Sequence, residues 1–144
     1  ALGDIHFCFL SQLAYNSEIL SKFVIRNKII MSEYKLRVVL MDEALSFVRS
    51  LPLKVQQKIT YNYKKIEQGV MDKELFKKLE NSEIWEFRTL FNGNCYRLFS
   101  FWDTETDTLV IATHGIVKKS QKTPPKEITK AEEIRKKYFE LKHQ

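Results

Sequence analysis

The chain has few of the residues that staple small secreted domains or hold metals. Among 144 residues there are two cysteines and three histidines. The cysteines have no zinc-ligand spacing, so no metal is expected. Cys95 falls inside an aromatic run where a free thiol packs like a small apolar group, so a disulfide is not expected either, which suits a reducing cytoplasm. Long apolar runs are also missing. The uncharged stretch 5–17 is too short to span a bilayer. No basic stretch precedes it and no small-residue cleavage site of the usual kind follows it, so neither a membrane anchor nor a secretory leader is read here. There is no internal repeat, no low-complexity tract and no glycine-rich phosphate loop, and no cofactor is implied.

What the chain does have is positive charge. The net charge is +6 and the pI about 9.3, which predicts attraction to polyanions. Length and a balanced apolar fraction fit one domain with one core. Residues 1–30 read as an extension of a 31–144 domain, with Met31 as the natural start. An appended helix with Leu10, Leu13, Ala14, Ser17, Leu20 and Val24 on one face is the other reading of that extension.

The organising stretch runs from Glu83 to Trp102. Two runs rich in aromatic and β-branched residues flank Asn92-Gly93, the strongest short signal for a two-residue type I′ hairpin turn. With Phe91 and Asn94 beside the turn, Arg88 falls opposite Arg97 and Glu86 opposite Phe99. Like charges directly opposite are unfavourable, so two solvated arginines on one face call for a nearby carboxylate or a bound anion. Arginine forks suit phosphate.

Around this hairpin, Tyr34–Met41 reads as a first strand, stopped by Asp42 as a helix cap. A short helix through Leu45, Val48 and Leu51 follows, then a second from Pro52 with Val55, Ile59, Tyr63 and Ile66 on its core face and Gly69 closing it. Val70–Ser82 reads as a polar connector anchored by Phe76 and Leu79, with Lys73, Lys77 and Lys78 solvated. Leu109–Val117 reads as a last strand. Thr123-Pro124-Pro125 then reads as a cap and first turn for a closing helix with Ile128, Ala131, Ile134, Tyr138 and Leu141 on its apolar face. The fold expected is α+β: a strand and helical hairpin packed on a mostly antiparallel sheet, closed by a C-terminal helix.

The groups able to do chemistry gather near the strand ends. Cutting RNA without a metal needs a base for the 2′-hydroxyl, charge on the phosphate and an acid for the leaving oxygen. Glu86 or His114 can be the base, Arg88, Arg97 and Lys119 can hold the phosphate, and His114, the one group here that titrates near neutrality unaided, is the acid of choice if Glu86 is the base. Placing His114 on the face of Arg97 requires a particular register after the Asp103–Asp107 loop. Lys118, Lys122 and Lys126 are the expected RNA contacts.

The order of elements, with Leu79, Trp85-Glu86-Phe87-Arg88, Tyr96-Arg97-Leu98, His114-Gly115-Ile116-Val117-Lys118-Lys119, Gln121-Lys122-Thr123-Pro124, Glu127-Ile128 and Ala131, resembles the RelE/ParE superfamily of bacterial toxins. Its HigB-type, phage-derived host-killing members are the nearer likeness. The resemblance covers 34–141. It implies a type II toxin, usually an endoribonuclease (mRNA interferase) that cuts messenger RNA on the ribosome without a metal. It also implies a cognate antitoxin, commonly with a helix-turn-helix part, and work in the cytoplasm away from membranes. In such toxins basic residues of the central strands bind the phosphate, which points to Arg88 and Arg97, and a basic group at the end of the last strand matches Lys118 or Lys119. The alternatives are a non-catalytic toxin of the same fold that binds an essential protein such as gyrase, or a basic RNA-binding module that stacks bases on Tyr96 and Trp102.

Overall fold

The Asn92-Gly93 turn sets the sheet. Both residues take positive φ, 48° and 79°, as a two-residue hairpin turn requires. Strands β3 (Trp85–Phe91) and β4 (Asn94–Trp102) pair antiparallel in the expected register, Phe91 with Asn94, Arg88 with Arg97 and Glu86 with Phe99. The computed structural model describes residues 36–106, 108–119 and 122–144. The N-terminal extension with its expected helical face, Met31, and the start of the first expected strand lie outside the described residues.

Strands β1 (Arg37–Leu40), β2 (Phe76–Lys78) and β5 (Leu109–Lys118) complete a five-stranded sheet in the order β1-β5-β4-β3-β2. The β1–β5 pair is parallel and the other pairs are antiparallel, so the fold is α+β as expected. The connector read before the hairpin needs correction, because Phe76–Lys78 is an edge strand. Three residues are too few to show a period. The strand is held by its partner: the Phe76 ring stacks on Phe87 at 4.3 Å and leans on Trp85 at 4.7 Å.

Helices α1 (Asp42–Arg49) and α2 (Leu53–Glu67) form the expected hairpin. They cover one sheet face, where Ala44, Val48, Val55, Ile59 and Ile66 pack against Val38, Leu40, Phe87, Tyr96, Leu98 and Val110. Gly69 follows α2 with φ 90°, the left-handed stop that glycine adopts freely. Helix α3 (Pro125–Lys142) covers part of the opposite face, where Ala131, Ile128, Ile134, Tyr138 and Phe139 pack on Ile84, Phe99, Phe101 and Ile111. Both faces are therefore buried over the middle of the sheet, and β4 is buried from Cys95 to Phe101. Tyr96 lies in the core, which removes it as a stacking surface for the RNA-module reading, while Trp102 is half-buried in an aromatic cluster with Phe76 and Trp85.

Two caps differ from expectation. Met41, not Asp42, precedes α1, and Asp42 and Glu43 sit in its first turn, complementing the helix dipole. Pro124 occupies the cap position of α3 and makes no side-chain cap bond. Thr123, the expected cap, is used elsewhere.

A bulge decides which face His114 joins. Phe99 pairs with His114 and Ser100 with Ala112, so Thr113 is the extra residue. Plain alternation from Ile111 would send His114 to the helical-hairpin face; the inserted residue returns it to the face of Phe99 and Arg97. Gly115 then faces α1, and a Cβ there would lie 2.2 Å from the Phe47 ring.

The far end of α3 is tied by Asp103, a buried carboxylate that accepts from the Tyr138 hydroxyl at 2.7 Å, from Lys142 Nζ at 2.5 Å and from the Glu105 amide at 2.9 Å. Burial alone would raise its pKa, but these donors outweigh it and hold the carboxyl below its ordinary value. Such a group stabilises the fold above its unfolded pKa of about 3.9 and loses that contribution as pH falls through the lower, folded value. Asp103→Asn is expected to lose about 1–2 kcal/mol near neutrality and to flatten the acid limb of stability, read from urea midpoints between neutral and acid pH. Gly115→Ala is expected to lose about 1–3 kcal/mol through overpacking against Phe47, measured the same way; relieving that contact with Phe47→Leu in the double variant should recover part of the loss.

Candidate active site

Strand alternation builds the site on the α3 face, beyond the part that α3 covers. Glu86 and Arg88 project from β3, Cys95 and Arg97 from β4, and Lys118 from β5 opposite Cys95. Lys77 of β2 pairs with Glu86 and adds an exposed ammonium to the rim. The row across the sheet is Lys77, Glu86, Phe99, His114.

Of the two arginines, Arg97 is shut off from solvent and Arg88 is half-buried. Arg97 is 2 % exposed and Glu86 is 2 % exposed. Arg97 Nη1 donates to Glu86 Oε2 at 3.3 Å and to Thr123 Oγ1 at 2.7 Å, and its Nε donates to Cys95 Sγ at 3.4 Å. The Thr123 hydroxyl donates in turn to Glu86 Oε2 at 2.8 Å. Arg88 approaches the other carboxylate oxygen, Nε to Oε1 at 3.4 Å, as an ion pair without hydrogen-bond geometry. One carboxylate thus stands between two guanidiniums and offsets the like-charge pairing that the register imposes. The expectation of a solvated Arg97 is corrected by this burial. Truncating it would strand a buried carboxylate, a loss of about 3–5 kcal/mol.

Of the two lysines at the end of β5, Lys118 pairs with Cys95 and by parity lies on this face. It is 7 % exposed, and its Nζ is buried with no hydrogen-bond partner among the described residues. Burial, then the Arg97 charge, lowers its pKa, against opposition from Glu86 and Cys95. Lys119, expected as the catalytic lysine, is exposed beyond the strand end. Lys122 and Lys126 are exposed on the connection to α3 and its first turn.

His114 shares the face of Arg97, but its surroundings are those of a strut. It is 2 % exposed, packed on Phe99 at 4.9 Å, with Nε2 at 2.8 Å from Glu127 Oε2 and Nδ1 at 2.8 Å from Thr113 Oγ1. Nε2 faces a carboxylate and donates to it, while Nδ1 shares the Thr113 hydroxyl with the Phe99 carbonyl, to which that hydroxyl donates at 3.2 Å. Burial lowers its pKa and outweighs Glu127, which raises it. The ring joins α3 to the sheet, and neither nitrogen is left for a substrate.

Thr123 and Lys77 escaped the sequence reading. Lys77 could have been found from the alternation of Phe76, Lys77 and Lys78, had the strand been recognised. Nothing local marks Thr123, because a Thr-Pro-Pro sequence is an equally good helix start. Among the described residues no three His, Cys, Asp or Glu side chains gather as a metal-ligand set, and none of the helices is long and apolar enough to cross a membrane.

A family model described as Phage derived protein Gp49-like (DUF891) matches residues 46–136. That span holds Glu86, Arg88, Arg97, His114, Lys118, Lys119, Lys122, Thr123 and Lys126. No curated protein and no solved structure matches the chain. The match covers more than half of the sequence, and its family is associated with RelE-like toxins of toxin–antitoxin pairs; the chain belongs to the Gp49-like, phage-derived family.

Proposed function

We propose that the protein is a HigB-type toxin of a type II pair and a metal-independent endoribonuclease that cuts messenger RNA on the ribosome. The observation that carries this reading is the buried carboxylate of Glu86 set among Arg88, Arg97 and the ammonium of Lys118, which has no hydrogen-bond partner among the described residues. A phosphodiester brings the negative charge that these cations lack, and three cations supply charge stabilisation that a metal would otherwise give. Glu86 takes the proton of the 2′-hydroxyl, whose oxygen attacks phosphorus and closes a 2′,3′-cyclic phosphate. Arg88 and Arg97 hold the non-bridging oxygens. Lys118, with its pKa lowered by burial, gives a proton to the departing 5′-oxygen. Lys77, Lys119, Lys122 and Lys126 are exposed around this centre and suit contacts to flanking phosphates. The partner that restrains such a toxin is a cognate antitoxin, expected to carry a helix-turn-helix part, and messenger RNA places the work in the cytoplasm.

The test is single-turnover cleavage of messenger RNA on programmed ribosomes, with binding measured separately. Lys118→Met should cut the rate by roughly a hundred- to ten-thousand-fold, the range of general acid–base catalysis, while folding at least as stably, since it removes an unpaired buried charge. Undiminished cleavage by that variant would take the proton-donor role from Lys118.

His114→Gln separates strut from acid. Its cleavage rate should stay within a few-fold of the parent, whereas its stability should change with pH. A buried base with a lowered pKa binds fewer protons folded than unfolded, so stability falls as pH drops below the unfolded value of about 6.5. The variant should lose that slope in denaturant midpoints taken between neutral and mildly acid pH. A hundred-fold loss of rate with the slope intact would restore His114 as the acid.

A further inference from the structure

The hydroxyl of Thr123 sits in the middle of the charged cluster with a defined polarity. It accepts from Arg97 Nη1 at 2.7 Å and donates to Glu86 Oε2 at 2.8 Å. Those are the two bonds that a ribose 2′-hydroxyl would make on entering the site: its proton toward the carboxylate that will remove it, its oxygen beside the guanidinium that holds the phosphate. Around this point the cluster's acceptor is satisfied while donors remain unused. Lys118 Nζ and Arg88 Nε are buried without hydrogen-bond partners among the described residues. A hydroxyl already has a seat filled by the chain's own residue, and two neighbouring donors await acceptor oxygens.

We propose that Thr123 holds the seat of the substrate's 2′-hydroxyl, as an internal stand-in that the ribose hydroxyl displaces and whose two bonds it takes over. The inference rests on the ribonuclease reading above and adds to it a residue that the substrate's hydroxyl must replace. Glu86 and Arg97 are each 2 % exposed and both bond Thr123 Oγ1, so a substrate hydroxyl that bonds the two at this point takes the place of that side chain. Ribonucleotide restores both bonds that the displacement breaks. Deoxyribonucleotide restores neither, and leaves a buried carboxylate and a buried guanidinium each one partner short, an unfavourable outcome in a site that excludes water. A hydroxyl-reading site of this kind discriminates by what its polar groups lose with the wrong ligand. Thr123 suits the task because Pro124 and Pro125 follow it, so its own backbone is not committed to a cap bond.

The experiment uses the full chain and three probes of one sequence: a short single-stranded RNA, the same RNA with 2′-fluoro sugars, and the DNA. Binding is followed by fluorescence anisotropy at fixed salt, and melting temperature is recorded for every variant. A 2′-fluorine cannot donate to Glu86, so the parent chain should bind the fluoro-RNA and the DNA about tenfold more weakly than RNA, the factor expected from one hydrogen bond to a charged group. Thr123→Val keeps the shape and removes the hydroxyl. It relieves the competition for the seat, and should tighten RNA, fluoro-RNA and DNA alike by about tenfold while leaving the ratio between them unchanged; Thr123→Ser should restore the parent's affinities. RNA binding by the parent that ignores the 2′ substituent would overturn the inference and leave the phosphate-binding reading in place. The same holds for a folded Thr123→Val that binds RNA no better than the parent. Failure of the parent to bind RNA above DNA or buffer controls would remove the ribonuclease reading, and the inference with it. The comparison of probes on the parent chain decides the matter even where Thr123→Val does not fold.

Discussion

A carboxylate buried in the middle of a β-sheet constrains everything near it. At 2 % exposure the Glu86 carboxyl calls for cations and donors in contact to offset its loss of water. The hairpin supplies them by register: the turn that puts Arg88 opposite Arg97 also sets Glu86 within reach of both. Neither arginine would be tolerable facing the other without the acid, and the acid would not be tolerable without them. The site is therefore also a structural core of polar groups, in which stability and chemistry are carried by the same atoms.

The second demand is that the sheet be covered on both faces while the polar cluster stays reachable. Helices α1 and α2 take one face as apolar packing, with one buried polar contact, Asn62 donating to Thr89 Oγ1. Helix α3 takes the other only over Phe99, Phe101 and Ile111, and is fastened along its length. Glu127 meets His114 near its start, Lys130 pairs with Glu43, and Asp103 receives Tyr138 and Lys142 near its end. These ties fix where α3 begins, and hence where Thr123 lies over Glu86 and Arg97.

How much of this was legible in the sequence follows from the range of each signal. Asn92-Gly93 is a local rule with one geometric outcome, so the hairpin, its register and the facing arginines could be read directly. The helical hairpin was equally plain from the period of Val55, Ile59 and Ile66. Strand β2 was not, because three residues carry no period and its stability comes from the rings of Trp85 and Phe87. Burial of Arg97 was not, because it depends on Thr123, twenty-six residues away. The face of His114 was read correctly, but the cause is a bulge at Thr113 that no turn residue announces. Lys118 and Lys119 differ by one position, and only the strand's parity tells them apart.

Strand β4 carries the core of one layer on Tyr96, Leu98 and Ser100, and on the alternate residues both the charged centre and the core of the other layer. With both sides occupied, the strand has no neutral position at which its length can vary. Removing or adding one residue between Cys95 and Phe101 would exchange the two sets, sending Arg97 into the layer under α1 and α2 and an aromatic ring into the charged centre. Length variation in relatives of this chain should therefore be confined to places where the ladder has ended, such as the hairpin tip after Phe91 and the connection between β4 and β5. An alignment gap placed inside β4 would mark a misalignment rather than a tolerated change.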